Sequence, residues 1–370
     1  MTGQGRAARP GATAPREEDA LEHRAPSPTR ATEPHEARRG GLYAALDLGT
    51  NNCRLLVARP SADGLKIVDS FSRIVRLGEG LSVTGRLGDA AIERTLAALA
   101  VCRDKIAARG VAHSRLIATE ACRAAANGPD FLDRVRERTG LEVEIVDRGT
   151  EAALAAEGCA ALADEGAEGV VLFDIGGGSS EIVWLDRDRS PGGDRPVRDR
   201  IRAWTSLPLG VVSLADRFGG VEVSPECFGT MVRHVEAALL PFAAEVRAEQ
   251  RCGRFHLLGT SGTVTTVAGV FLGLPRYDRR RVDGLWMSRG DVDDAISRVR
   301  AMPFAARVAN GCIGPDRADL VLGGCAILEA LRRTFPSERL RIADRGLREG
   351  ILIQMMSRDG VWAGRPTRVD

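Results

Sequence analysis

Residues 173–185, FDIGGGSSEIVWL, place a glycine-rich turn between two apolar runs. Residues 45–58, ALDLGTNNCRLLVA, have the same layout, and Asp47-Leu48-Gly49 precedes Asp174-Ile175-Gly176 by 127 residues. Each stretch predicts two strands joined by a tight turn. Because the pattern occurs twice at the spacing of a domain, the sequence indicates an internal duplication.

The elements around the two hairpins extend this repeat. Spacing of apolar residues and of glycine and proline predicts strands at residues 66–75, 115–118, 141–146, 254–258 and 339–343. It predicts helices at residues 89–109, 129–138, 262–272, 290–301, 317–334 and 347–356, and a long helix that begins at Pro225 and is kinked at Pro241. The order predicts an α/β protein with two duplicated domains, each a mixed sheet covered by helices, and a cleft between them.

The chain has 370 residues, which suits two domains of about 150 residues each. Residues 1–40 contain five prolines and almost no large apolar side chains, so they predict a disordered tail. We expect residues 41–148 together with 347–370 to form domain I, and residues 149–346 to form domain II.

Composition excludes several classes of protein. The formal net charge is only +2, which argues against a protein that wraps duplex nucleic acid. No apolar run approaches the length of about 20 residues that crosses a bilayer, so no membrane partner is expected. The eight cysteines are scattered without a C-x-x-C pair, which is typical of free thiols in the reducing cytoplasm.

Three loops have the composition of phosphate sites, because small residues expose backbone N–H groups. They are Gly176 to Ser180 in the second hairpin, Gly49 to Asn52 in the first, and the loop before the helix at 262–272. The last loop would also benefit from the positive end of the helix dipole. Each has a simpler interpretation, as a flexible hairpin or a capped helix start. Their phosphate-binding candidates are Gly49, Thr50, Asn51, Gly176, Gly177, Gly178, Ser179, Ser180, Thr260, Ser261 and Gly262.

Seven segments together resemble the exopolyphosphatase and guanosine pentaphosphate phosphohydrolase (Ppx/GppA) family. Two of the segments are the hairpins. The other five are ATEACRAAANGPDFL (118–132), GTEAAL (149–154), SLPLGVVSL (206–214), LLGTSGTVTTVAG (257–269) and IADRGLREGIL (342–352). The resemblance implies two RNase H-like domains of the actin, sugar-kinase and heat-shock ATPase superfamily, in the short form without an added helical half. Three positions depart from the usual family pattern: Asn52, Ser180 and Thr150.

The resemblance assigns the general base of water attack to Glu120. Glu151 is expected either to assist that base or to complete a metal site, and a helix-start acid is the simpler interpretation of both glutamates. Asp47 and Asp174 end equivalent strands, so the duplication would place them together on the floor of the cleft, where magnesium (Mg2+) is the expected cofactor. Either aspartate could instead cap its own turn.

Arginine can bind phosphate through two parallel hydrogen bonds, and position favours Arg76 and Arg123 for this role. The predicted activity is release of terminal orthophosphate from inorganic polyphosphate, with guanosine pentaphosphate as the alternative substrate. A sugar-type kinase and a non-catalytic actin-like scaffold remain the competing functions. The sequence leaves the assembly open, with a homodimer as one option.

Overall fold

The computed structural model describes residues 41–61, 64–187, 195–249 and 254–362, and the backbone of 368–369. The predicted disordered tail, residues 1–40, lies outside the described residues. Within the described ranges no helix has the length and apolar character needed to span a membrane.

Twelve strands in the described chain form two six-stranded sheets. The strands are β1 (Tyr43–Leu48), β2 (Asn52–Ser61), β3 (Gly64–Ile74), β4 (His113–Ala118), β5 (Glu144–Ile145), β6 (Gly169–Ile175), β7 (Ser180–Asp186), β8 (Ile201–Leu207), β9 (Phe255–Thr260), β10 (Trp286–Ser288), β11 (Arg339–Ile342) and β12 (Arg368–Val369). The first sheet has the order β12-β3-β2-β1-β4-β5, and the second has the order β10-β11-β9-β6-β7-β8.

The two sheets share one topology. In each, the first hairpin strand is antiparallel to the second and parallel to the strand that follows a helical crossover, as in β1 with β2 and β4 and in β6 with β7 and β9. The run β3-β2-β1-β4-β5 therefore matches β8-β7-β6-β9-β11. The predicted fold, two duplicated RNase H-like α/β domains, is confirmed.

The described helices lie against both faces of the sheets. They are α1 (Leu81–Thr84), α2 (Asp89–Ala108), α3 (Glu120–Ala124), α4 (Gly128–Thr139), α5 (Arg148–Cys159), α6 (Val211–Phe218), α7 (Pro225–Glu249), α8 (Ser261–Phe271), α9 (Arg279–Val282), α10 (Arg289–Ala301), α11 (Phe304–Ala309), α12 (Val321–Thr334) and α13 (Leu347–Arg358). Gly140 ends α4 with a φ of 69°, in the left-handed region that glycine enters without strain.

Helices α5 and α13 exchange sheets. Helix α5 follows the last crossover strand of the first sheet but packs on β7 and β8 of the second, while α13 follows β11 of the second sheet and packs on β1 and β2 of the first. The two helices also pack against each other. A Cβ on Gly350 would lie 2.0 Å from the Leu154 carbonyl oxygen, and one on Gly158 would lie 2.0 Å from the Gly346 carbonyl oxygen. Only glycine permits this approach of the two backbones.

Several sequence-based boundaries are wrong. The strand predicted at 115–118 begins two residues earlier, at His113, and ends at Ala118 as β4, and Glu120 is the first residue of the short helix α3. The strand predicted at 141–146 is only Glu144–Ile145, and the helix predicted from 317 begins at Val321. In the charged segment 187–202, residues 188–194 lie outside the described residues, and β8, which the sequence did not predict, begins at Ile201.

Candidate active site

Strand periodicity directs two aspartates to the surface between the sheets. In β1, Tyr43 and Ala45 pack in the core beneath α13, so Asp47, two residues further on, faces the same side. In β6, Val170 and Leu172 pack beneath α5, and Asp174 follows on that side. Both aspartates line one cleft of about 520 Å³.

The two hairpin turns meet across this cleft. A Cβ on Gly177 would lie 3.0 Å from Thr50 Cβ, and one on Gly178 would lie 2.7 Å from Thr50 Oγ1 and 3.3 Å from Glu120 Cγ. Any larger residue at Gly178 would push the turns apart. Among the described residues, the N–H groups of Thr50, Asn51, Gly177 and Gly178 donate no hydrogen bond. Buried N–H groups are nearly always paired, so these donors are available to an anion.

The second turn is held in place from its outer side. The N–H groups of Val211 and Val212 donate to the carbonyl oxygens of Gly176 at 3.0 Å and Gly177 at 2.8 Å. Because the carbonyl groups are used in this way, the opposite edges of the peptide units, which carry the N–H groups, are directed towards the cleft.

The third loop supplies Ser261. Its φ of 79° is uncommon for a residue with a side chain, and such strained conformations cluster at functional sites. Ser261 lines the cleft, and its side chain is near enough to the carboxyl of Asp174 to act against the rise of that group's pKa. Gly262 lines a neighbouring cavity of about 470 Å³ instead, which it shares with Ser261, Asn51 and Gly177.

Glu120 lies in the cleft wall and is 7% exposed. Its Oε2 accepts hydrogen bonds from Arg123 Nη2 at 2.6 Å and Arg123 Nε at 3.1 Å, and its Oε1 accepts one from Arg148 Nη2 at 2.8 Å. Arg123 also donates to Glu151 Oε2 at 3.0 Å and to the Val146 carbonyl oxygen at 2.6 Å. The guanidinium of Arg123 therefore links the two candidate catalytic glutamates.

Four acidic groups in the cleft have a raised pKa: Asp47, Glu151, Asp174 and Glu181. Burial raises the pKa of Asp174 to about 6, with a smaller contribution from the nearby charge of Asp47. Burial also raises the pKa of Asp47, of Glu151 and of Glu181. The negative charge of Glu181 raises the pKa of Glu151 further, and the charge of Asp174 raises the pKa of Glu181 further. The cleft thus concentrates negative charge that its arginines compensate only in part.

Because the ionised carboxylate of Asp174 is buried unfavourably, we expect Asp174→Asn to stabilise the protein at neutral pH. The carboxyl of Asp174 holds its proton to about pH 6 when folded and to about pH 3.8 otherwise, so the folded state binds more protons in that range. The stabilising effect of that proton is complete below about pH 4 and is lost as pH rises through 6. Without divalent cations, we expect the Tm of the variant to exceed that of the wild type by a few degrees at pH 7.5, on the order of 2 kcal/mol, and by much less at pH 4. A variant that is less stable than the wild type at both pH values would contradict this account.

The structure brings most of the predicted site residues together. The cleft is lined by Asp47, Gly49, Thr50, Asn51, Glu120, Glu151, Asp174, Gly176, Gly177, Gly178, Ser179 and Ser261. Two predicted phosphate ligands are engaged elsewhere through their hydroxyl groups: Ser180 Oγ donates to the Leu209 carbonyl oxygen at 2.7 Å, and Thr260 Oγ1 to that of Arg345 at 2.5 Å. Both belong to the scaffold that supports the loops.

The two predicted phosphate-binding arginines are also engaged by protein groups. Arg76 Nη1 and Nη2 lie 3.0 and 3.1 Å from the two carboxylate oxygens of Asp319, which belongs to the second half of the chain. Arg76 thus forms an ion pair between the two halves of the chain and is not among the residues that line the cleft, so its phosphate-binding role stays a prediction. Arg123 is within reach of the site, but its guanidinium holds Glu120 and Glu151.

Sequence reasoning missed Glu181 and Arg148. Arg54 and Glu181 both line the cleft. Each lies directly opposite an aspartate in the register of its hairpin: Arg54 opposite Asp47, and Glu181 opposite Asp174. The offset of 127 residues that relates the two aspartates also relates Arg54 to Glu181, so the duplication itself contained this signal. No comparable pattern marked Arg148.

The cleft offers oxygen atoms for a hard cation, but too few from the protein to surround the ion. Across the described ranges, no group of three or more His, Cys, Asp or Glu residues is arranged as a protein cage for a metal. Asp47 and Asp174 are nevertheless poorly compensated carboxylates, and the buried Oδ1 atoms of Asn51 and Asn52 have no hydrogen-bond partner. This donor set suits magnesium held by one or two carboxylates, with water and substrate phosphates as further ligands.

Comparison with known proteins adds the family. Residues 56–359 match the sequence model of the Ppx/GppA phosphatase family. The chain is 28% identical over 330 residues to Exopolyphosphatase 2 of Mycobacterium tuberculosis, covering 84% of this chain and 98% of the relative. It is 28% identical over 317 residues to the guanosine-5'-triphosphate,3'-diphosphate pyrophosphatase of Aeromonas hydrophila, covering 85% of this chain but only 59% of that longer protein.

A solved structure agrees with the sequence match. The crystal structure of the Aquifex aeolicus member of the Ppx/GppA family superposes with a TM-score of 0.69 at 27% identity, over 86% of this chain and 98% of that one. The family model covers most of the chain, including the second hairpin turn, and begins within β2, after the first turn. The chain therefore belongs to the Ppx/GppA phosphatase family.

Proposed function

We propose that this protein hydrolyses phosphoric anhydride bonds and releases terminal orthophosphate from inorganic polyphosphate. The observation that carries the proposal is the pair of opposed turns with undonated N–H groups beside Glu120. The relatives named exopolyphosphatase and guanosine pentaphosphate pyrophosphatase support the same reaction class.

In this proposal, the turns bind the terminal phosphate and Glu120 activates water. The N–H groups of Thr50, Asn51, Gly177 and Gly178 would bind phosphate oxygens from both sides and hold the phosphorus in line with the water. Glu120 accepts a proton as the water oxygen bonds to phosphorus, and the bridging P–O bond breaks. The shortened chain leaves with the electron pair of that bond.

Magnesium would be held by Asp47 and Asp174, with Glu151 nearby. When bound, the ion would neutralise charge on the phosphate oxygens. The protein's own part is to keep two carboxylates poorly compensated at the floor of the cleft, so that a cation and the phosphate chain bind there together.

Guanosine pentaphosphate is the second candidate substrate. The neighbouring cavity of about 470 Å³ opens beside the same turns and includes Ile175, Val211 and Leu320 in its lining. Apolar walls suit a nucleoside better than they suit a uniform polyanion.

Phosphate release from three substrates tests the proposal. Purified protein is incubated with polyphosphate, guanosine pentaphosphate or ATP, with magnesium or with a chelator. We expect magnesium-dependent orthophosphate release from polyphosphate in the absence of an acceptor alcohol. ADP formation that requires an alcohol would indicate a kinase, and no release from any substrate would refute the enzymatic proposal.

A further inference from the structure

Arg148 contacts both oxygens of Glu120. Its Nη2 lies 2.8 Å from Oε1 and its Nε lies 3.3 Å from Oε2. Among the described residues, Glu120 is the only partner of this guanidinium, although 43% of the Arg148 side chain is exposed. A flexible, solvated arginine with one partner either forms an ordinary surface ion pair or acts through that partner.

The ordinary ion pair explains little here. The pair is open to solvent only on the Arg148 side, and Arg123 already neutralises the buried carboxylate of Glu120 from the other side. Arg123 is also fixed by Glu151 and by the Val146 carbonyl oxygen, so it keeps its place without Arg148. What Arg148 adds is a second direction from which the carboxylate of Glu120 is held.

The hydrogen bonds from the two arginines leave one carboxylate oxygen of Glu120 able to accept a further hydrogen bond. Oε2 receives three N–H groups, two from Arg123 and one from Arg148, whereas Oε1 receives a single N–H from Arg148. A carboxylate oxygen has about two acceptor sites, so Oε2 is saturated and Oε1 keeps one free. A water oriented by Glu120 would therefore bind at Oε1, whose direction Arg148 determines.

Arg148 reaches Glu120 from a helix that rests on the other sheet. It is the first residue of α5, and a Cβ on the next residue, Gly149, would lie 3.0 Å from Trp204 Cζ2 of β8. Glu120 belongs to α3 beside the first sheet, whereas β8 belongs to the second. Arg148 thus lies at the junction of the two sheets, between Val146, which donates its N–H to the Ala118 carbonyl oxygen of the first sheet, and the rest of α5, which packs on the second.

We infer that Arg148 is a positioning residue that directs Oε1 of Glu120 towards the attacking water, and that it links this orientation to the seating of the two domains. The inference rests on the proposed function, in which Glu120 is the base. A residue with this role affects the chemical step more than ground-state binding of phosphate.

The test compares Arg148→Ala, Arg148→Lys and Arg134→Ala in steady-state phosphate release from polyphosphate with magnesium. Arg134 is the matched control, because its side chain is similarly exposed, 39% against 43%, and it pairs with a glutamate, Glu93, Nη2 to Oε1 at 2.7 Å, that does not line the cleft. For Arg148→Ala we expect kcat to fall about 10- to 100-fold, since a displacement near 1 Å can cost 100-fold, with KM within about twofold. Arg148→Lys should lie between, because an ammonium cannot contact both oxygens as the planar guanidinium does. Arg134→Ala should match the wild type, and unfolding curves should show all variants folded.

Three results would overturn the inference. One is an unchanged kcat in Arg148→Ala, and another is a large rise in KM with unchanged kcat, which would make Arg148 a phosphate ligand instead. The third is a further loss when Arg148→Ala is added to Glu120→Gln, because a residue that acts through Glu120 has no additional effect once the base is gone. The proposed function fails separately, through a wild type that releases no phosphate or a Glu120→Gln variant that is fully active.

Discussion

Glu120→Gln is expected to lower kcat for phosphate release by about 10²- to 10⁴-fold, the usual contribution of a positioned general base. Glutamine keeps the size of the side chain and still reaches the guanidinium groups of Arg123 and Arg148. It cannot accept the proton of the attacking water. Because the turns that bind the phosphate chain are unchanged, KM should stay within a few-fold of the wild type.

The control for this variant is Glu144→Gln. Glu144 also pairs with an arginine of the same sheet, Arg115 Nε to Glu144 Oε1 at 2.7 Å, but it lies on the exposed strand β5 outside the cleft. It should keep wild-type turnover. If Glu120→Gln remained folded and retained full turnover, Glu120 would not be the base and the proposed mechanism would fail.

Gly350→Ala is expected to destabilise the fold by about 3 kcal/mol or more, at the upper end of what overpacking costs. The added methyl group would lie 2.0 Å from the Leu154 carbonyl oxygen and 3.2 Å from the Gly158 nitrogen. These are backbone atoms, which cannot rotate away as a side chain could. The helices α5 and α13 would have to separate, and with them the two sheets on which they rest. Thermal unfolding should show a Tm several degrees below that of the wild type.

Gly290→Ala is the matched control, because Gly290 lies in the first turn of α10 and a Cβ there would have only Ser288 Oγ nearby, at 3.9 Å. Alanine favours a helix by up to about 1 kcal/mol over glycine, so this variant should be unchanged or slightly more stable. If Gly350→Ala unfolded at the wild-type temperature, the close crossing of α5 and α13 would be refuted. Separation of those helices should also move Arg148 relative to Glu120, so a folded Gly350→Ala protein should have reduced kcat.

The hairpins were predictable because their signal is local. A turn rich in small residues between two apolar runs produces a hairpin from contacts within about 15 residues, and both examples are present. Residues two apart in a strand share a face, so the same pattern placed Asp47 and Asp174 at the cleft once the duplication was recognised. The short elements were less predictable: β5 is two residues long and α3 is five, too few for periodicity to identify.

By itself the sequence determined the duplicated α/β architecture and the two turns, because each depends on residue types at short, fixed spacings, whereas the candidate base Glu120 was assigned by the family resemblance. Tertiary structure alone decided the partners of the long side chains. Arg76 pairs with Asp319, 243 positions away, and Arg148 with Glu120, 28 positions away. An arginine has many rotamers and reaches several ångströms, so its partner is chosen by whichever carboxylate the completed fold places nearby. The predicted domain boundaries already assigned α13 to the first domain and nearly all of α5 to the second. Only the tertiary structure decided that these two helices contact each other at Gly158 and Gly350, since that contact joins residues far apart in the chain.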